Sequence, residues 1–166
     1  MDYVLKQFDE PLVKFSATTD TSDPEIQILW TNEEKAALLP LGLTLTPDGS
    51  SRWLRRRTIP KNRAYVHSLL AKCGLNLNRP LSIISACKGL SLNDCYWVVE
   101  DGDTASFDKV NLYDNPFSNV LAELAFTGYG SSVRTSLLSS PEFTTNGMLR
   151  KCWRRVGGKV YLYKGG

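Results

Sequence analysis

The polar stretch Thr144-Thr145-Asn146-Gly147 leads into an alternating segment, and Lys164 closes the strand that returns from it. Residues of these types in this order suit phosphate chemistry. A polar loop with a glycine can turn backbone N–H groups toward phosphate oxygens. A strand-borne lysine adds a compact point charge. The chain has neither G-x-x-x-x-G-K-[ST] nor G-x-G-x-x-G, so the spacing alone describes equally well a plain hairpin whose last strand carries a lysine.

A second grouping is cationic. Arg52, Arg55, Arg56, Arg57, Lys61 and Arg63 place six cations in twelve residues, with Trp53 among them. Such a run can grip nucleic acid or an acidic partner. It describes equally a solvated helix end whose arginine stems cover apolar surface. Arg150, Lys151, Arg154, Arg155 and Lys159 form another basic cluster. If the two clusters meet in space, an anionic partner gains weight.

The remaining chemistry-bearing residues have simpler accounts. Asp94 and Asp114 could serve as paired carboxylates, but caps and Asx-turns explain both, with Tyr96, Trp97 and Phe117 as core. His67 is the single histidine. It lies in a helical pattern without a nucleophile or acid partner and reads as structural. No nucleophilic triad can be assembled, and no catalytic residue is assigned. Cys73, Cys87, Cys95 and Cys152 include no C-x-x-C pair, so a metal site is not expected and reduced thiols are.

Composition sets the frame. A chain of 166 residues is long enough to bury about 70% of its unfolded surface without staples. The net charge of +3 is too small to argue for nucleic acid by itself. Met1-Asp2-Tyr3 opens no signal peptide, and no apolar run reaches the roughly 18 residues of a membrane span. The expectation is a cytoplasmic protein with no membrane association.

The elements that must position these residues follow from periodicity. Residues 2–16 read as two strands around Phe8-Asp-Glu-Pro11, and Ile26–Trp30 as a third. Thr31 or Asn32 can cap a short helix over Glu33–Leu39. Pro47-Asp-Gly49 reads as a turn. Ser51 then caps Arg52–Thr58, and Asn62 caps Arg63–Cys73, which Gly74 ends. Pro80–Ala86 and Tyr96–Val99 are short and apolar. Ser91-Leu-Asn-Asp94 looks like a helix start. Ser106–Leu112 is a turn or two of helix, and Ser118 caps Asn119–Phe126. Met148–Val156 and Lys159–Lys164 flank Gly157-Gly158 as a hairpin. Strands and helices without regular alternation predict an α+β fold of small antiparallel strands, short helices and a C-terminal hairpin. The expected segments are a β-rich 1–48, a mainly helical 49–135, and a loop-and-hairpin segment 136–166, which together can form one compact domain.

Several separated motifs carry a resemblance. Arg57-Thr-Ile-Pro-Lys-Asn-Arg63, Lys88-Gly-Leu-Ser-Leu-Asn-Asp-Cys-Tyr-Trp-Val98, Asn111-Leu-Tyr-Asp-Asn-Pro-Phe-Ser118, Pro141-Glu-Phe-Thr-Thr-Asn-Gly147 and Tyr161-Leu-Tyr-Lys-Gly-Gly166 resemble the N-terminal part of HipA-like serine/threonine kinases, in forms carried by Gram-positive bacteria and mobile elements. The resemblance implies that Thr144, Thr145, Asn146 and Gly147 belong to a phosphate loop and that Lys164 is a nucleotide lysine. It implies ATP with magnesium as cofactor, bound weakly by an incomplete site. It also implies a regulatory phosphoserine near the loop, with Ser139 and Ser140 as candidates. The family's catalytic and metal-binding aspartates lie in a C-terminal lobe that this sequence does not contain. The expectation is therefore a regulatory or docking region without kinase activity of its own, partnered by that lobe or by another protein. Two alternatives accompany it. One is a phage or mobile-element protein that blocks a host factor through segment 52–63. The other is an auxiliary DNA-contacting part of a toxin–antitoxin complex, with the helices flanking Pro60 as the contact.

Overall fold

Alternation of apolar and polar residues near the N-terminus produces three strands, β1 (Asp2–Gln7), β2 (Glu10–Ala17) and β3 (Ile26–Thr31). The computed structural model describes residues 1–133 and 140–166. In it β4 (Tyr96–Glu100) joins β1 from the far side, giving an antiparallel sheet in the order β3-β2-β1-β4. Pro11 cannot donate to a ladder, and it sits at a bulge: Leu5 faces Val13 but Lys6 faces Pro11, leaving Leu12 as the extra residue. That extra residue lets neighbouring Leu12 and Val13 both be buried. β5 (Lys151–Val156) and β6 (Lys159–Lys164) form a separate two-stranded hairpin. The fold is α+β, with short helices and a C-terminal hairpin, as the periodicity predicts.

Helices α1 (Pro47–Arg55), α2 (Val66–Lys72), α3 (Pro80–Cys87), α4 (Phe107–Val110) and α5 (Asn119–Thr127) complete the body. Tyr3, Leu5, Phe15 and Val98 on one sheet face pack with Trp53 and Leu54 of α1 and Leu81 and Ile84 of α3. The core thus mixes residues from both sides of position 48. Trp97 and Val99 point the other way, into a cluster with Leu90, Phe107, Val110 and Leu112. Burial on both faces explains the unbroken apolar run of β4. α3 links two cores, because Ile83 and Cys87 join Val66, Leu69, Leu70, Leu121, Leu124 and Phe143.

Four local expectations are corrected. Pro47-Asp-Gly49 is not a turn but the first turn of α1: Thr46 is the N-cap, its Oγ1 accepts from Gly49 N–H at 3.1 Å, and Pro47 takes the first helical position. Gly49 is there because a Cβ would lie 2.6 Å from the Thr44 carbonyl oxygen. Ser51 therefore lies inside this helix and does not cap it. Asn62 caps nothing either, since α2 begins at Val66 after Tyr65, which takes a left-handed φ of +63°. Ser91–Asp94 starts no helix. Ser91 Oγ accepts from Asn93 N–H, Asp94 Oδ1 accepts from Tyr96 N–H, and the chain runs straight into β4.

Other expectations hold. Ser118 Oγ accepts from Leu121 N–H and caps α5, which ends at Gly128 with φ +77°. Gly74 ends α2: its N–H bonds the Ala71 carbonyl while Leu75 N–H bonds the Leu70 carbonyl, the paired pattern of a glycine stop. A fifth expectation is corrected: neither Thr31 nor Asn32 caps the next segment, since Glu33–Leu38 is 3₁₀ helix, kinked at Lys35, that follows Asn32 with no side-chain cap hydrogen bond.

Candidate functional site

The loop before the hairpin is fastened to the core by its own side chains. Phe143 is fully buried among α2, α3 and α5. Ser140 Oγ accepts from Glu142 N–H and caps a 3₁₀ turn over Pro141–Phe143. Thr144 Oγ1 donates to the Leu90 carbonyl at 2.7 Å. Thr145 Oγ1 donates to the Pro141 carbonyl at 2.5 Å and accepts from Trp153 Nε1 at 2.8 Å. Gly147 has φ +99°, and a Cβ there would lie 2.5 Å from Lys151 Nζ, so the position requires glycine.

Two buried cations hold the loop from beneath. Arg63 Nε donates to the Gly147 carbonyl at 2.5 Å, and Arg63 Nη2 donates to the Thr145 carbonyl. Lys151 Nζ donates to the Asn146 carbonyl at 2.8 Å. Three consecutive carbonyls thus face inward. The N–H groups of Thr145, Asn146 and Gly147 bond no other described residue. Lys164 stands opposite Lys151 in the hairpin register, which brings the strand lysine to the edge of the loop. Burial, then the Arg63 and Lys164 charges, lower the Lys151 pKa.

Glu142 lies among these cations yet makes no ion pair. Its Oε1 accepts from Trp153 N–H at 2.8 Å, and its Oε2 is buried without a partner, as is Arg63 Nη1. Burial pushes the Glu142 carboxyl up to about 8, against the smaller pull of the Trp153 bond and the Arg63 and Arg154 charges. Neither Glu142 nor Lys151 carries a sequence signal for this role. A glutamate between Pro141 and Phe143 looks like loop surface until Phe143 is seen to be buried.

The basic run 52–63 does not act as one surface. Arg57 is buried, with Nη1 and Nη2 on the Asp94 carboxylate at 2.8 and 2.9 Å and Nε on the Gly89 carbonyl at 2.9 Å. Its guanidinium lies 4.9 Å from the Trp53 ring centroid. Arg55 pairs with Asp23. Arg63 is committed to the loop that leads into the hairpin. Arg52, Arg56 and Lys61 are exposed. Asp94 is therefore a structural counter-ion, and Asp114 accepts from Asn111 Nδ2. His67 is exposed on α2.

Of the serines, Ser140 is buried, so modification there requires the loop to lift. Ser139 lies outside the described residues. Among the described residues no group of three or more His, Cys, Asp or Glu side chains is placed to hold a metal ion. None of the helices described is long and apolar enough to cross a membrane.

No protein-family model matches the chain, and neither a curated protein nor a solved structure matches it.

Proposed function

We propose that this chain is a regulatory or docking module of HipA-like kinase architecture that carries half of a nucleotide-phosphate site. One observation carries the reading: Lys151 bonds the Asn146 carbonyl and faces Lys164 across the hairpin, so the loop 144–147 and the strand lysine share one corner. With three carbonyls turned inward, the outward groups available to an anion are backbone N–H groups and the exposed Lys164 ammonium, while Lys151 adds charge from beneath the loop. Phosphate oxygens accept from such donors.

The donor set fits a polyphosphate with one adjustment. Thr144 and Thr145 hydroxyls are committed to carbonyls within the loop's own support, so these side chains shape the loop. Contact falls to the Thr145, Asn146 and Gly147 N–H groups, with Lys164 and Lys151 supplying charge. A nucleotide bound with magnesium would supply the phosphoryl group. This chain's part is to bind and orient its phosphate tail, and phosphoryl transfer further requires metal positioning and a nucleophile-orienting residue. The test is calorimetry with Mg-ATP on the chain and on Lys164→Ala.

A docking role has support of its own. The hairpin cations Arg150, Lys151, Arg154, Arg155, Lys159 and Lys164 form no ion pair with a carboxylate among the described residues. A pull-down with the wild-type chain against a Lys159→Glu variant tests it.

A further inference from the structure

We propose that the outer edge of β6 is a docking strand for an acidic, extended segment of another protein. The inference does not depend on the nucleotide reading. It uses the backbone and charge of β6, and Lys164 is the one residue the two share.

The hairpin geometry exposes a row of backbone groups. Gly157 and Gly158 have φ of +55° and +76°, as a two-residue primed turn requires. The flanking pair Val156 and Lys159 then exchanges hydrogen bonds, and pairs alternate from there. The N–H and C=O groups of Val160, Leu162 and Lys164 therefore point away from β5. The same alternation turns Trp153 N–H away from β6, and there Glu142 Oε1 accepts it. On β5 that bond occupies one of the outward N–H groups, and α5 packs against the same strand. Among the described residues β6 pairs only with β5, and all its residues are exposed except half-buried Leu162. An open edge of this kind templates a further strand.

Charge selects the occupant. Residues 150–164 contain six Lys or Arg and no Asp or Glu. Lys151 and Arg155 are occupied with carbonyls. Lys159 and Lys164, one at each end of β6, make no side-chain hydrogen bond to a described residue. Tyr161 and Tyr163 are exposed between them. Side chains alternate along a strand, so Lys159, Tyr161 and Tyr163 share one face of β6 and Lys164 lies on the other. An incoming strand meets Lys159 with a carboxylate on the tyrosine face and Lys164 with one on the opposite face. Complementary charge of this kind steers encounter and fixes register.

Other occupants fit less well. Twofold pairing of β6 with its own copy brings two cationic hairpins together. Pairing β6 with the outermost strand β3 of another copy is heterologous and builds rings or filaments. Nucleic acid would use the cations but leave the row of N–H and C=O groups without partners.

The experiment titrates fluorescein-labelled peptides of about ten residues into the full chain and reads anisotropy. One peptide carries two adjacent Glu residues at each end around a middle of Thr and Val, and a second carries Lys in place of each Glu. A third is the acidic peptide N-methylated at alternate positions, so that one edge cannot form a ladder. A single-stranded oligodeoxynucleotide is titrated in parallel, and sedimentation velocity follows the chain alone. Val160→Pro removes an N–H that bonds nothing in β5; Lys159→Glu reverses one charge and leaves the backbone intact. The proposal expects the acidic peptide to bind at least about tenfold tighter than the lysine and N-methylated peptides. Val160→Pro and Lys159→Glu should each weaken it similarly, with amide shifts at residues 160, 162 and 164. Equal binding of the N-methylated peptide reduces the surface to plain electrostatics and overturns the proposal. So do preference for the oligonucleotide, self-association through β6, or no peptide binding at all. Should Val160→Pro unfold the hairpin by circular dichroism, Lys159→Glu and the N-methylated peptide still decide. Mg-ATP binding by folded Val160→Pro should match wild type, which separates failure of this proposal from failure of the nucleotide reading.

Discussion

Arg63 Nε donates to the Gly147 carbonyl oxygen at 2.5 Å, across 84 residues of sequence. This contact ties the far end of the basic run to the loop that leads into the hairpin. A neighbouring backbone bond, Ala64 N–H to the Met148 carbonyl at 2.8 Å, seals the same junction. The loop's shape therefore depends on a cation from beyond its own segment.

Arg63→Ala should release the loop. Two charge-assisted bonds to carbonyls are lost, and destabilisation of about 2 kcal/mol is expected. Arg63→Lys keeps the charge but not the forked geometry, and should recover only part of it. Urea denaturation followed by tryptophan fluorescence measures both, since Trp153 reports directly on the loop.

Glu142 predicts a pH dependence. Burial raises its carboxyl to about 8, from an ordinary 4.5. Between those values the folded chain holds a proton that the unfolded chain has lost. The associated stability is complete below about pH 4.5 and is lost as pH rises through about 8, on the order of 5 kcal/mol in all. Glu142→Gln keeps an acceptor for Trp153 N–H and removes the titration. Its urea midpoint, relative to wild type, should climb steadily from pH 5 to pH 8; parallel profiles would rule this account out.

Asp94 neutralises Arg57 in the interior. Asp94→Ala leaves a buried guanidinium with its carbonyl partners and the Trp53 face but no counter-ion. The expected cost is roughly 3 kcal/mol, read from the thermal midpoint. A change as small as that of an exposed ion pair, below about 1 kcal/mol, would show that Arg57 is satisfied without it.

Gly128 is required twice over. Its φ is +77°, and a Cβ would lie 2.7 Å from Tyr65 Cδ1, itself on a residue with φ +63°. Gly128→Ala should cost roughly 1–3 kcal/mol and loosen the start of α2. Hydrogen exchange at Leu69 and Leu70 reads the local effect.

Much of this architecture is written in short-range signals. The glycine pair at 157–158, the Ser118 cap and the alternation in β1 to β3 each act within a few residues, and each is legible in the sequence. The misreadings arise where one local composition suits two structures, or where a local pattern serves a distant partner. Thr46-Pro-Asp-Gly49 has turn composition, but its glycine answers to the close Thr44 carbonyl. Ser91-x-x-Asp94 has the look of a cap, but Asp94 turns to Arg57, 37 residues upstream. The candidate site divides in the same way. Thr144–Gly147 and Lys164 stand out by type and order. In the sequence Arg63 reads as part of a surface run, and only the fold turns it inward. Lys151 and Glu142 gain meaning from register and burial, which no spacing rule encodes.

The central claim is that the 144–147 loop and Lys164 form half of a nucleotide-phosphate site. Isothermal calorimetry with Mg-ATP tests it most directly, using the wild-type chain beside Lys164→Ala. The account predicts weak, saturable binding, with Kd on the order of 1 mM, lost in the Lys164→Ala chain while its thermal midpoint is unchanged. Binding indifferent to Lys164, no binding, or tight binding accompanied by autophosphorylation would contradict it.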